Sequence, residues 1–189
     1  MESQQRIYPI GVQNFEKIRK DGYVYIDKTA LIYQLVSSGS YYVLSRPRRF
    51  GKSLNMTMLK AFFEIPPASD PNAEDAAYLF EGLSIWDAGG GPHREDQGAY
   101  PVIYISFNPV KKQRWEDAKS ALRQLIVWEY IRHGYLSDSS ELNEQERAYF
   151  DRVAGWKATD GDIESSLINL TRLLFKHHGR RTVVLLDEY

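Results

Sequence analysis

Residues 41–53 read YYVLSRPRRFGKS, and this stretch decides the fold that the sequence predicts. The apolar run at 41–44 has the composition of a short buried strand. A loop containing Pro47 follows, and Gly51, Lys52 and Ser53 then open a segment whose apolar residues recur at helical spacing. Strand, loop and Gly-Lys-Ser at a helix start form the layout of a phosphate-binding loop, in which backbone N–H groups point at phosphate oxygens.

The residue types at the end of this loop suit a nucleotide polyphosphate. The ammonium of Lys52 would reach the β and γ phosphates, and the hydroxyl of Ser53 would bind Mg²⁺. The strict pattern has glycine where this chain has Arg46, so the tripeptide alone is a weak signal. The strand-like run before it and the amphipathic segment after it strengthen the interpretation.

A second segment carries two acids at the end of an apolar run. Residues 183–188 read VVLLDE, and a buried parallel strand of this kind would deliver Asp187 and Glu188 to the carboxyl edge of a sheet. The first acid would hold Mg²⁺ and the second would polarise an attacking water. The ordinary alternative is a strand end with two solvated acids. The combination with the upstream Gly-Lys-Ser favours the functional interpretation.

The composition of the chain excludes several classes of protein and site. The chain has 189 residues and no cysteine, which excludes disulfides, thiolate metal sites and a cysteine nucleophile. Residues 1–60 hold 10 Lys/Arg against 4 Asp/Glu, so an anion would bind in the first third. No apolar run is long enough to span a bilayer, and no signal peptide is apparent, so we expect a cytoplasmic protein without a membrane partner.

Strands and helices alternate along the sequence. This pattern predicts an α/β protein with a parallel sheet and helical crossovers. The predicted strands are 41–44, 101–107 and 182–186, and the predicted helices are 14–20, 27–37, 51–64, 113–133, 143–153 and 162–178.

Two strings carry a resemblance to a known family. Residues 46–54 read RPRRFGKSL and residues 25–29 read YIDKT, and together they resemble the bacterial AAA-ATPase-like proteins. These are P-loop ATPases that are often joined to a C-terminal PD-(D/E)XK nuclease-like domain. The resemblance runs from about residue 7 to the last residue, with further matching segments at 9–11, 61–64, 79–83, 100–103 and 186–189.

The resemblance implies a role for each matching residue. Lys52 is similar to the Walker A lysine and Ser53 to its Mg²⁺ ligand, while Asp187 resembles the Walker B aspartate and Glu188 the catalytic base. In this family Arg46 in place of the first glycine is usual. The implied cofactors are ATP and Mg²⁺, and the nucleotide contacts are placed at Arg48, Arg49, Phe50, Gly51, Lys52, Ser53 and Leu54.

The resemblance also implies a domain organisation. Residues 1–40 would be a family-specific segment that leads into a P-loop ATPase domain at 41–189. In ATPases with an acid beside the Walker B aspartate, the strand that follows Walker B lies between the P-loop strand and the Walker B strand. We therefore expect a P-loop fold that is incomplete at its C-terminus, with the sensor residue and arginine finger beyond Tyr189 and poor activity in this segment alone.

The function expected from these features is ATP binding with Mg²⁺-dependent hydrolysis. A nucleotide-sensing module with little turnover is one alternative, and the carboxylate at Glu188 speaks for hydrolysis. A nucleic-acid-associated module acting with a nuclease-like domain is another, although the pI of about 6.4 argues against direct nucleic-acid binding by this segment. Assembly into a homo-oligomer stays open. Residues 27–29 would either cap a helix or lie near the nucleotide.

Overall fold

A computed structural model describes residues 7–38, 41–45, 47, 50–66, 76–87 and 95–188. The chain divides into two compact units, Met1–Ala99 and Tyr100–Tyr189, and each is described by itself. The predicted start of an ATPase domain at residue 41 stays a prediction. Within the described ranges, no helix has the length and apolar character needed to cross a membrane.

The first unit is built from helices and connecting loops. Its α-helices are α1 (Phe15–Lys20), α2 (Ala30–Ser38), α3 (Lys52–Phe63) and α4 (Ser84–Asp87), with a 3₁₀ turn at Ala76–Phe80. The side chain of Asn14 caps α1 by accepting a hydrogen bond from the Lys17 N–H at 2.8 Å. Helices were predicted at 14–20, 27–37 and 51–64, and the structure confirms all three within a few residues.

Aromatic side chains form the centre of this unit. The ring of Phe15, which is fully buried, lies 5.3 Å from Tyr25 and 5.0 Å from Phe80 between ring centroids. Phe62 of α3 meets Phe80 edge-on at 5.3 Å. Offset and edge-on pairs of this kind add to the free energy gained by burial. The core therefore fixes α3 against α1 and the 3₁₀ turn.

The predicted strand at 41–44 is wrong, because these residues form no strand in the structure. Tyr41 is 96% exposed and Val43 is 79% exposed, so the run is not buried either. The Tyr42 hydroxyl instead donates to the carbonyl of Leu35 in α2 at 2.7 Å. Strand composition is only a preference, and a strand forms when a neighbouring strand accepts its hydrogen bonds.

The second unit is an α/β structure with a parallel pair of strands. The strands are β1 (Val102–Ser106) and β2 (Val183–Asp187), paired from Val102 opposite Val183 to Ser106 opposite Asp187. The crossover between them contains α5 (Trp115–Arg132), α6 (Glu144–Ala154), α7 (Asp160–Glu164) and α8 (Ser166–His178), with 3₁₀ turns at Asn108–Val110 and Gly134–Asp138. This arrangement confirms the predicted α/β class.

The helix predicted at 162–178 is two helices. Thr159 and Asp162 form a capping box that starts α7 two residues earlier, at Asp160, and α7 ends at Glu164, so that Ser165 lies between the two helices. Then α8 continues to the left-handed Gly179, whose N–H donates to the Phe175 carbonyl at 2.8 Å, as expected for a C-cap. The core that these helices bury against the sheet contains Ile103, Ile105, Ile126, Tyr130, Leu136, Leu142, Phe150, Val153, Leu170 and Leu174.

Side chains of α5 cover the edge of β1 that faces away from β2. The Tyr104 N–H donates to the Glu129 carboxylate at 3.0 Å. The Val102 carbonyl accepts a hydrogen bond from the Arg132 guanidinium and lies 3.2 Å from the His133 Nε2 atom. Backbone groups that would otherwise be unpaired at this edge thus have partners within the unit.

Candidate functional site

The start of α3 presents uncapped backbone donors. Gly51 precedes the helix in the left-handed conformation, with φ 74° and ψ 26°, and no side chain caps the helix there. The first N–H of the helical ladder comes from Asn55 and donates to the Gly51 carbonyl at 2.9 Å. The preceding N–H groups of the first turn have no partner within the helix. Together with the positive end of the helix dipole, they suit a negatively charged ligand.

The structure brings five of the predicted nucleotide-contacting residues together at this helix start. Phe50 and Gly51 precede α3, and Lys52, Ser53 and Leu54 form its first turn, which contains no acidic residue. The predicted contacts Arg48 and Arg49, like Arg46, lie outside the described residues. Backbone N–H groups, one ammonium and one hydroxyl are a donor set that fits a polyphosphate.

Asp27 joins two parts of the first unit that are distant in sequence. Its Oδ1 atom accepts from the Thr29 N–H at 2.8 Å and from the Thr29 hydroxyl at 2.7 Å. Its Oδ2 atom accepts from the Ser84 N–H at 2.6 Å and the Ser84 hydroxyl at 2.5 Å. Burial opposes the charge of Asp27, but the hydrogen bonds from Ser84 and Thr29 outweigh it and lower the pKa.

This network changes the interpretation of the sequence string at 25–29. The alternative that residues 27–29 form a helix cap is confirmed in part, because Asp27 bonds the Thr29 N–H just before α2 begins at Ala30. The hydroxyl of Thr29, which is fully buried, also accepts from the Ile85 N–H at 3.1 Å. Sequence reasoning missed the contacts to α4, because nothing local marks a partner 57 residues away.

The carboxyl end of β2 holds the two predicted acids. Asp187 is 4% exposed, and its backbone carbonyl accepts from the Phe107 N–H at 2.9 Å. Tyr104 of β1 lies on the same face of the sheet, because it is paired with Leu185 while Ser106 is paired with Asp187. Burial, followed by the negative charge and hydrogen-bonding capacity of the Asp187 carboxylate, raises the pKa of Tyr104 to about 12. Asp187 is therefore a buried carboxylate rather than a solvated one.

Glu188 follows β2 with an unusual backbone and a cationic partner. Its φ is 58°, in the left-handed region that costs a non-glycine residue about 1 kcal/mol or more. Its Oε2 atom lies 2.8 Å from the ammonium of Lys111. Sequence reasoning missed Lys111 and Tyr104. The alternation of side chains along β1 could have indicated Tyr104. Tyr104 and Ser106 lie on the same face of the sheet, and Ser106 is paired with Asp187.

The predicted site residues are divided between the two units. Lys52 and Ser53 belong to the first unit, and Asp187 and Glu188 belong to the second. A hydroxyl and a carboxylate are ligands of the type that Mg²⁺ takes alongside phosphate oxygens. Each group on its own has the chemistry expected of one half of a magnesium–nucleotide site.

The chain is similar to a known protein family and to a relative of known sequence. The profile of a family described as "Predicted AAA-ATPase" matches residues 9–189. A protein of Azotobacter chroococcum mcd 1, described as "Uncharacterized protein in vnfD 5'region", is 33% identical over 182 residues. The match covers 96% of this chain and 28% of the relative, so the chain spans little more than a quarter of that protein's length. No solved structure gives a significant match.

Proposed function

The chain belongs to the AAA-ATPase-like family, and from this premise we propose that it binds ATP with Mg²⁺ through a P-loop site and contributes to ATP hydrolysis. The observation that supports this proposal best is the start of α3. Lys52 follows the left-handed Gly51 directly, at a helix end whose first N–H groups have no cap. The order of residues and the geometry agree there with the chemistry of a phosphate site.

Lys52 and the backbone of residues 50–54 would hold the phosphates. The ammonium is a compact charge that suits the β and γ phosphates, and the N–H groups of the first turn would donate to phosphate oxygens. Gly51 contributes its conformation, because φ 74° is readily adopted only by glycine. We also propose that Arg48 and Arg49 add positive charge to the same loop.

Ser53 and Asp187 are the side chains that would hold Mg²⁺. When bound, the metal ion neutralises charge on the phosphate oxygens. The contribution of the chain is to present a hydroxyl at the helix start and a carboxylate at the strand end. Burial of the Asp187 side chain near Tyr104 limits the positions that the carboxylate can take.

Glu188 is the proposed general base. A carboxylate next to the Mg²⁺ ligand would orient a water molecule and take its proton as the water attacks the terminal phosphate. In the structure this carboxylate forms an ion pair with Lys111. It would have to leave that ion pair to act, because the ammonium occupies a carboxylate oxygen that would otherwise contact the water.

The test of the proposed function is Mg²⁺-ATP binding by the full protein and by the variant Lys52→Ala. We expect the variant to lose most of its affinity, since one ammonium contact to phosphate is removed. Lys60→Ala is the matched control, because Lys60 lies in the last turn of the same helix and pairs with Glu64 at 2.8 Å. Unchanged ATP affinity in Lys52→Ala would show that the P-loop assignment is wrong.

The ion pair of Glu188 favours a second candidate, a nucleotide-sensing module with little turnover. A base held by Lys111 would allow ATP to stay bound as a signal. Single-turnover and steady-state measurements on the full protein distinguish the two, because a sensor would release ATP unhydrolysed. The accompanying nuclease-like domain that the resemblance implies stays a prediction, and assembly into a homo-oligomer stays open.

A further inference from the structure

A second lysine lies beside the glycine of the proposed phosphate loop. A Cβ atom placed on Gly51 would be 3.9 Å from the Nζ atom of Lys28, so this ammonium occupies the space next to the glycine. Lys28 is 23 residues before Gly51 in the sequence. Among the described residues no carboxylate forms an ion pair with it. The cation is therefore available to a ligand at the start of α3.

The backbone that carries Lys28 is fixed on both sides. Asp27 and Thr29, its two neighbours, form the hydrogen bonds to Ser84 and Ile85 described above. The Lys28 N–H lies 3.4 Å from the hydroxyl of Tyr25, and that hydroxyl contacts the Met58 sulfur of α3 at 3.3 Å. The side chains on either side thus anchor the segment, while Lys28 itself is exposed.

Asn55 provides a second, independent observation at the same helix start. It is 1% exposed, and its Nδ2 atom has no hydrogen-bond partner in the part of the chain that the structure describes. Asn55 lies one helical turn after Gly51, and helical side chains lean toward the N-terminus of their helix, so Asn55 shares a helix face with the start of α3. Buried donors without an acceptor are rare in folded proteins, and this one can bond to a water molecule or to a ligand oxygen.

We propose that Lys28 is a second phosphate-binding cation of the nucleotide site, acting beside Lys52, with the buried Asn55 amide as an additional donor. This inference rests on the proposed function and extends it to a specificity. Two ammonium groups at one helix start favour ligands with more phosphate charge, so the site prefers ATP to ADP. The residues on either side of Lys28 in the string at 25–29 then serve to hold it in place.

The experiment measures affinities for Mg²⁺-ATP, ADP and adenosine in the full protein. The variant Lys28→Met keeps the aliphatic stem and removes only the charge. We expect it to weaken ATP binding about tenfold or more, since a hydrogen bond between charged groups is lost. The effect on ADP should be smaller, and adenosine binding should not change. Lys28→Arg should retain much of the affinity, and Lys60→Ala serves again as the control.

The outcomes separate the inference from the proposed function. If Lys52→Ala abolishes ATP binding while Lys28→Met leaves the preference for ATP over ADP unchanged, the inference is wrong and the phosphate loop stands. If neither variant changes ATP affinity, both are wrong. If Lys28→Met does not fold, Lys28→Gln is measured in its place, and Asn55→Leu provides a further test, because it should weaken ATP binding without weakening adenosine binding.

Discussion

The ammonium of Lys111 lies 2.8 Å from the Oε2 atom of Glu188, and this ion pair joins the loop after β1 to the residue after β2. The two side chains are 60% and 30% exposed, so solvent screens their attraction. Partly exposed pairs of this kind contribute about 0–1 kcal/mol. The contact is therefore weak enough to open when a nucleotide competes for either partner.

Removal of Lys111 should release the proposed base. We expect Lys111→Met to raise ATP turnover in the full protein by no more than about fivefold, because the pair is worth at most about 1 kcal/mol. Lys112→Met is the matched control, since that lysine is adjacent and exposed. Steady-state phosphate release measures the effect. A fall in turnover would instead show that Lys111 supports the reaction.

Substitution of the proposed base should separate binding from hydrolysis. In Glu188→Gln the amide cannot take a proton from water, so turnover should fall by about 10²-fold or more. ATP affinity should be retained, because Glu188 is not a proposed phosphate contact. Equilibrium binding and phosphate release on the same preparation test this. Unchanged turnover would show that another residue acts as the general base.

The hydroxyl of Tyr104 should matter through Asp187. Tyr104→Phe removes a hydroxyl that interacts with the buried Asp187 carboxylate, which should lower the free energy of unfolding by about 1 kcal/mol. It should also raise the Mg²⁺ concentration needed for ATP binding. In the control Tyr149→Phe, the lost hydroxyl donates to a backbone carbonyl at 2.9 Å, so stability should fall without a change in the Mg²⁺ requirement. Equal Mg²⁺ dependence in both variants would contradict the positioning role.

Glu129 should make the second unit sensitive to acid. Burial favours the neutral form, but the His133 imidazole, 3.6 Å away, and the hydrogen-bonded Arg132 guanidinium outweigh it and hold the pKa of Glu129 at about 2. A pKa lowered from 4.5 gives stability that is complete above about pH 5 and is lost as the pH falls toward 2. Glu129→Gln should cost about 3 kcal/mol at pH 7 and flatten this dependence, as measured by denaturant unfolding between pH 2 and 7.

The bounds of most helices could be predicted because their signals are local. Asn14 caps α1, the Gly-Lys-Ser string starts α3, and Gly179 ends α8, each through contacts within one turn. The start of α7 at Asp160 also had a local signal, the capping box of Thr159 and Asp162, whereas the apolar periodicity that continues into α8 obscured the break at Ser165.

The contacts that shape the candidate site could not be predicted in the same way. Whether residues 41–44 form a strand depends on a partner, and Tyr42 bonds to α2 instead. The pairs of Glu188 with Lys111 and of Asp27 with Ser84 join residues 77 and 57 positions apart. Propensity and spacing act within a few residues, so they identify acids and lysines as candidates without showing which groups restrain them.

The side chains that cover the outer edge of β1 mean that the sheet can be extended more readily beside β2 than beside β1. A strand that arrived at β1 would find the Tyr104 N–H and the Val102 carbonyl already engaged by Glu129, Arg132 and His133. Within the described residues β2 pairs with β1 alone, so its other edge is where the sheet can be extended. An added strand, from this protein or from a second copy, would therefore lie beside β2 and Asp187. The edge of β1 is protected from edge-to-edge aggregation.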